Sequence, residues 1–86
     1  MHELSVALEI CRIAESRLAP AERGRLREVG LDLGDQSGLE PDNLRFCLEA
    51  LLAAPPFGAA RPVITRLAGD ALTVTYLEIE DGGPND

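Results

Sequence analysis

Apolar residues recur at every third or fourth position from Leu4 to Leu18, with Leu4, Ala7, Leu8, Cys11, Ala14 and Leu18 on one helical face. Val6, Ile10 and Ile13 widen that stripe, so the helix is expected to be covered on more than one side. Pro20 and Gly24 end it. From Arg25 to Leu33 the period changes to two. Val29, Leu31 and Leu33 point one way and Glu28, Gly30 and Asp32 the other, the pattern of a half-buried strand. Turn residues from Gly34 to Gly38 predict a loop. Pro41 then suits a first helical position, and Asp42 a first turn where the helix dipole favours an anion. Leu44, Cys47, Leu48, Leu51 and Leu52 give this second helix its apolar face, and it stops before Pro55 and Pro56. Two β-rich runs follow, Val63 to Leu67 and Leu72 to Ile79, and the short turn Ala68-Gly69-Asp70 between them reads as a hairpin connection. Tyr76 is expected beside this sheet with its hydroxyl at the rim.

The predicted order is αβαββ. Two helices laid on one face of a three-stranded sheet make a two-layer α+β domain covering residues 1–80. The acidic run 81–86 reads as a disordered tail. A chain of 86 residues makes one small domain that buries roughly 60% of its unfolded surface.

Charge narrows the partners. Fifteen acids against eight bases, all arginine, give a net charge of −7, with no basic stripe to displace counterions from nucleic acid. Arg17, Arg23, Arg25 and Arg27 read as a solvated face, with an acidic partner as the alternative. No apolar run approaches the roughly 18 residues that span a bilayer, and the acids Glu3 and Glu9 argue against a secretory leader. The expectation is a cytoplasmic protein with no membrane or nucleic-acid partner. Cys11 and Cys47 lie far apart without CxxC spacing and fall on helix faces, as buried free thiols do.

The single histidine, His2, directly follows Met1. A free α-amine, the His2 amide and the His2 imidazole can close adjacent chelate rings around one ion, and a nitrogen-rich square-planar set favours Ni(II) or Cu(II). A solvated, frayed terminal histidine is the plain alternative. Glu3 reads either as a further ligand or as a helix cap. Asp35 and Ser37 are expected to shape their loop. Nothing reads as an enzyme: there is no second histidine to act as base, no phosphate loop and no paired nucleophile.

Three segments carry a family resemblance. The opening Met1-His2-Glu3-Leu4-Ser5-Val6-Ala7 resembles that of the HypA/HybF family of nickel-insertion proteins for hydrogenase and urease maturation. Residues 33–42, Leu-Gly-Asp-Gln-Ser-Gly-Leu-Glu-Pro-Asp, continuing into Leu44-Arg45-Phe46, resemble its strand-end segment at the same distance from the start. Residues 72–80, Leu-Thr-Val-Thr-Tyr-Leu-Glu-Ile-Glu, are similar to its closing strand.

The resemblance implies a metallochaperone that binds Ni(II) through Met1 and His2 with involvement of Glu3. The ion would pass to a hydrogenase large subunit or to a HypB-like nickel-handling GTPase. The resemblance also implies an acid at the second helix start as a further ligand, and Glu40 holds that place; a water-exposed carboxylate is its other reading. Apart from the resemblance, a sheet edge exposed by the short hairpin could pair with a second copy, so monomer and homodimer both stay open. Members of the family carry a zinc module with two CxxC pairs between the last two strands. Here only Ala68-Gly69-Asp70 stands there, so no zinc is expected. The departure leaves a second function open, a zinc-less paralogue acting as a scaffold or regulator of maturation without metal transfer.

Overall fold

In the computed structural model, which describes residues 2–80, the elements are α1 (Glu3–Arg17), α2 (Pro20–Arg23), β1 (Leu26–Gly34), α3 (Pro41–Leu52), β2 (Arg61–Leu67) and β3 (Leu72–Ile79). The helices lie on one face of a three-stranded mixed sheet, the α+β architecture that the periodicity predicts. The one addition is α2, a single turn with Pro20 at its first position, where proline's missing N–H costs nothing. The expected tail 81–86 lies outside the described residues.

The core forms where the two periods meet. Ala7, Ile10 and Ala14 from α1, Leu44, Leu48 and Leu52 from α3, and Val29, Leu31 and Leu33 from β1 are all 3% exposed or less. The buried stripe of α1 is rotated from the expected one: Ile10 turns inward, while Leu4 and Leu8 remain 53% and 51% exposed. Alanine at positions 7 and 14 lets the α1 backbone come close to what it packs on, which larger side chains there would prevent.

The hairpin expectation is overturned. The strand order is β2-β1-β3, with β1 central, parallel to β2 and antiparallel to β3, so the last two strands are not neighbours. Residues 68–71 cross instead over the end of β1. Two strand spacings of roughly 4.8 Å each are within reach of four extended residues. The crossing is tied down by backbone bonds from Gly34 N–H to the Ala71 carbonyl (2.7 Å), Asp35 N–H to Leu67 (2.8 Å) and Gln36 N–H to Gly69 (2.7 Å). A turn-rich gap between two β-rich runs looks the same whether the strands pair or straddle a third. What distinguishes the two is Gly34, where a Cβ would run into the backbone of Gly69 and Ala71.

Among the described residues no helix covers the other face of the sheet. There the Tyr76 ring covers Gly30, leaving no space for a side chain at that position, and its hydroxyl donates to Glu28 Oε1 at 3.0 Å. Arg61 Nη2 donates to Glu28 Oε2 at 2.8 Å. Arg61 and then Tyr76 hold the Glu28 carboxyl below its ordinary range, while Glu28 pushes the Tyr76 hydroxyl and the Arg61 guanidinium up. Among the described residues no helix is long and apolar enough to cross a membrane.

Gly34→Ala tests the crossing. The added methyl has backbone on the far side rather than a side chain that can move, and overpacking of this kind costs roughly 1–3 kcal/mol. Urea unfolding should show that loss; a midpoint equal to that of the unaltered chain would mean that the crossing is loose.

Candidate metal site

His2 occupies the N-cap position of α1, with its imidazole exposed and making no capping bond. Its carbonyl accepts the Val6 N–H at 3.0 Å, the first turn of the helix. The backbone under the imidazole is therefore fixed while the ring stays free for an incoming ligand. Met1, the other expected donor, lies outside the described residues.

Glu3 is treated differently by the fold. It is the first residue of α1, and it is only 4% exposed, the one buried charged residue among those described. Its carboxylate does more than accept the N–H of its own residue at the start of α1. It reaches the start of α3, where Oε2 accepts the Glu40 N–H at 2.8 Å and Oε1 lies 3.5 Å from Asn43 Nδ2. The positive N-terminus, then the backbone N–H groups of Glu40 and Glu3, bring its carboxyl down to about 2.

Glu40 stands at the N-cap of α3, where Oε1 accepts the Asn43 N–H at 2.9 Å and its carbonyl accepts the Leu44 N–H at 2.9 Å. Two predicted acids 37 residues apart thus meet at one corner, where the beginnings of α1 and α3 converge. Asn43 completes that corner and was not expected from the sequence. Its place three residues after an N-cap acid, the spacing at which a cap meets its N–H partner, is the signal that points to it.

Other sequence candidates lie elsewhere. Asp35 Oδ1 accepts the Gly69 N–H at 3.2 Å and Ser37 Oγ accepts the Leu39 N–H at 3.3 Å, so both serve loop backbone. Cys11 and Cys47 are free and half-buried, and burial, followed by the charge of Glu15, pushes the Cys11 thiol up to about 11. In the arginine group, Arg23 donates to the Glu15 carbonyl and Arg25 to the Glu80 carbonyl. Among the described residues no group of three or more His, Cys, Asp and Glu side chains converges as a cage. What the described residues bring to this corner is the exposed His2 together with the Glu3 and Glu40 carboxylates.

Residues 1–78 match the family model described as "HypA: Hydrogenase/urease nickel incorporation, metallochaperone, hypA", and the chain belongs to that family. It is similar to the hydrogenase maturation factor HypA of Azotobacter chroococcum mcd 1, with 35% identity over 71 residues that cover 83% of this chain and 63% of the relative. The HypA of Geobacter metallireducens is 38% identical over 69 residues, covering 80% of this chain and 60% of the relative. That of Albidiferax ferrireducens is 31% identical over 78 residues, covering 91% and 69%. The chain spans about six-tenths of the length of the first two. Its β2 and β3 are joined by residues 68–71 alone, with no inserted module at that point.

Glu3 ties stability to acid pH. Its folded-state carboxyl lies below its ordinary value of 4.5, so its contribution is complete above pH 4.5 and is lost as pH falls toward about 2. Urea midpoints measured across that window should fall more steeply for the unaltered chain than for Glu3→Gln. Parallel curves would show that this carboxylate adds nothing to folding.

Proposed function

We propose that this chain binds one Ni(II) at its Met1-His2-Glu3 start and carries it, as a cytoplasmic metallochaperone, in maturation of a [NiFe]-hydrogenase or related nickel enzyme. The observation that carries the reading is the division at the α1 start: an exposed His2 imidazole on a fixed backbone, beside a Glu3 carboxylate committed to α3. The N-terminal amine, the His2 amide and the His2 imidazole supply the nitrogens, and amide deprotonation adds negative charge. That charge matters, because a dication next to a helix N-terminus meets the positive end of the dipole. Glu3 and Glu40 add two carboxylates at the same corner. Each already accepts a backbone N–H with one oxygen, so in this reading their larger contribution is to set the charge and hold the chain start in place.

An open terminal site can pass its ion on by ligand exchange, with no chemistry performed on it. The recipient in this reading is a hydrogenase large subunit or a HypB-like GTPase. Residues 1–80 act as one nickel-binding domain working without a zinc module. The second reading, a scaffold or regulator of maturation that moves no metal, draws its support from the four-residue connection where the family carries that module.

Nickel titration by calorimetry separates the two. Tag-free protein beginning at Met1 should bind one Ni(II), more tightly as pH rises through the pKa of the α-amine near ~8. His2→Ala and a form extended by two residues at the N-terminus should each lose that affinity. Glu40→Gln should keep the stoichiometry. If all the forms bind alike, or none binds, the carrier reading falls and the scaffold remains.

A further inference from the structure

We propose that the outer edge of β3 is an interface between two copies of this chain. The strands pair antiparallel about a two-fold axis and extend the sheet from three strands to six. The argument is independent of nickel.

The two edges of the sheet are not alike. β2 carries Pro62, which has no N–H to offer, and the charged Arg61 and Arg66, the usual ways of blunting an edge. β3, Leu-Thr-Val-Thr-Tyr-Leu-Glu-Ile, has no proline and no basic residue. Among the described residues no strand pairs with its outer side.

Its helix-side residues are also poorly covered. Leu72, Val74, Leu77 and Ile79 stand opposite Leu33, Leu31, Val29 and Leu26 of β1, which are 2% exposed or less. Leu72 itself is 42% exposed, and the other three are half-buried. Between α1 and β3 an apolar groove of about 270 Å³ runs along Val6, Ile10, Ile13, Leu72 and Val74, with Glu9 at its side.

The occupant is read from the register. The pairing of β3 with β1 slips between Gly30 and Leu31, so that Thr75 has no β1 partner and the alternation of β3 changes phase there. In an unbroken strand Val74 and Leu77 point to opposite faces. The bulge places them on one. Two β3 strands centred on Thr75 and Tyr76 therefore pair Leu72 with Ile79, Val74 with Leu77 and Thr73 with Glu78, apolar against apolar and each acid against a neutral residue. This sequence complements itself in a single register, and that is the argument for a second copy rather than a foreign strand. The two-fold axis stands perpendicular to the sheet, so both helix layers lie on the same side. The two α1 helices then close over Leu72 and Val74 from either side.

Sedimentation velocity over a wide dilution series should show a monomer–dimer equilibrium for the whole chain. Thr73→Glu sets two like-charged pairs across the axis and should weaken the dimer about tenfold. Thr73→Glu with Glu78→Arg should restore it. Should Thr73→Glu fail to fold by circular dichroism, Thr73→Arg reads the same register with opposite sign and should tighten the dimer. Amide exchange in β3 should slow with concentration in the unaltered chain. A monomer at every concentration, or a dimer indifferent to the charge at position 73, would overturn the proposal.

Discussion

The carboxylate of Glu3 joins the start of the first helix to the start of the third across the corner where both begin. Burying an acid is costly unless its charge is answered, and here the positive N-terminus, the Glu40 amide and Asn43 answer it. The result is that the start of α1 is pinned to the start of α3, 37 residues further along the chain. Chain ends fray by default. This one is held at its third residue, so that His2 begins a helix in a defined place instead of trailing in solvent. From that corner α1 runs along α3 and buries Ala7, Ile10 and Ala14 in the shared core.

The sheet is organised around β1 in the same economical way. Its apolar face supplies the floor on which both long helices rest, and its polar face carries Glu28 between Arg61 and Tyr76, one from each neighbouring strand. Its two glycines admit two close approaches, the ring of Tyr76 over Gly30 and the crossing backbone at Gly34. At the other end the Arg25 side chain and backbone both bond to Glu80, which fixes where β3 leaves the sheet. A central strand with two glycines looks weak by propensity, yet here each glycine marks a place where another segment needs the space.

Most of the elements were legible because each has a strong local cause: the three-four period of α1, the alternation of β1, and Pro41 after an acid for α3. β3 was read with its observed limits, Leu72 to Ile79. Topology was not legible. The four residues between β2 and β3 have turn chemistry either way, and it is the space missing at Gly34 that marks them as crossing a strand. Within the candidate site, His2, Glu3 and Glu40 were marked by residue type and by resemblance, but the part Glu3 plays was not. The sequence offers Glu3 as a cap for its own helix, and the structure uses it on the start of another as well. A long-range bond of that kind leaves no periodic trace, and Asn43, an ordinary polar residue on an exposed helix turn, leaves less.

Val6 connects the two surfaces at which this small domain can act. Its amide holds the carbonyl of His2, and its side chain lines the groove between α1 and β3. The proposed nickel corner and the proposed β3 interface are therefore served by the same first turn of the same helix, one through the backbone and the other through a side chain. A copy seated along the groove presses on α1 from the β3 side while Glu3 restrains it from the α3 side, so the first turn is clamped between them. Because His2 is exposed and its side chain makes no capping hydrogen bond, such clamping would stiffen the backbone donors and leave the imidazole to solvent. Pairing and ion exchange are thus compatible by geometry, and the cost of ordering the chain start is met by contacts that leave its ligands open.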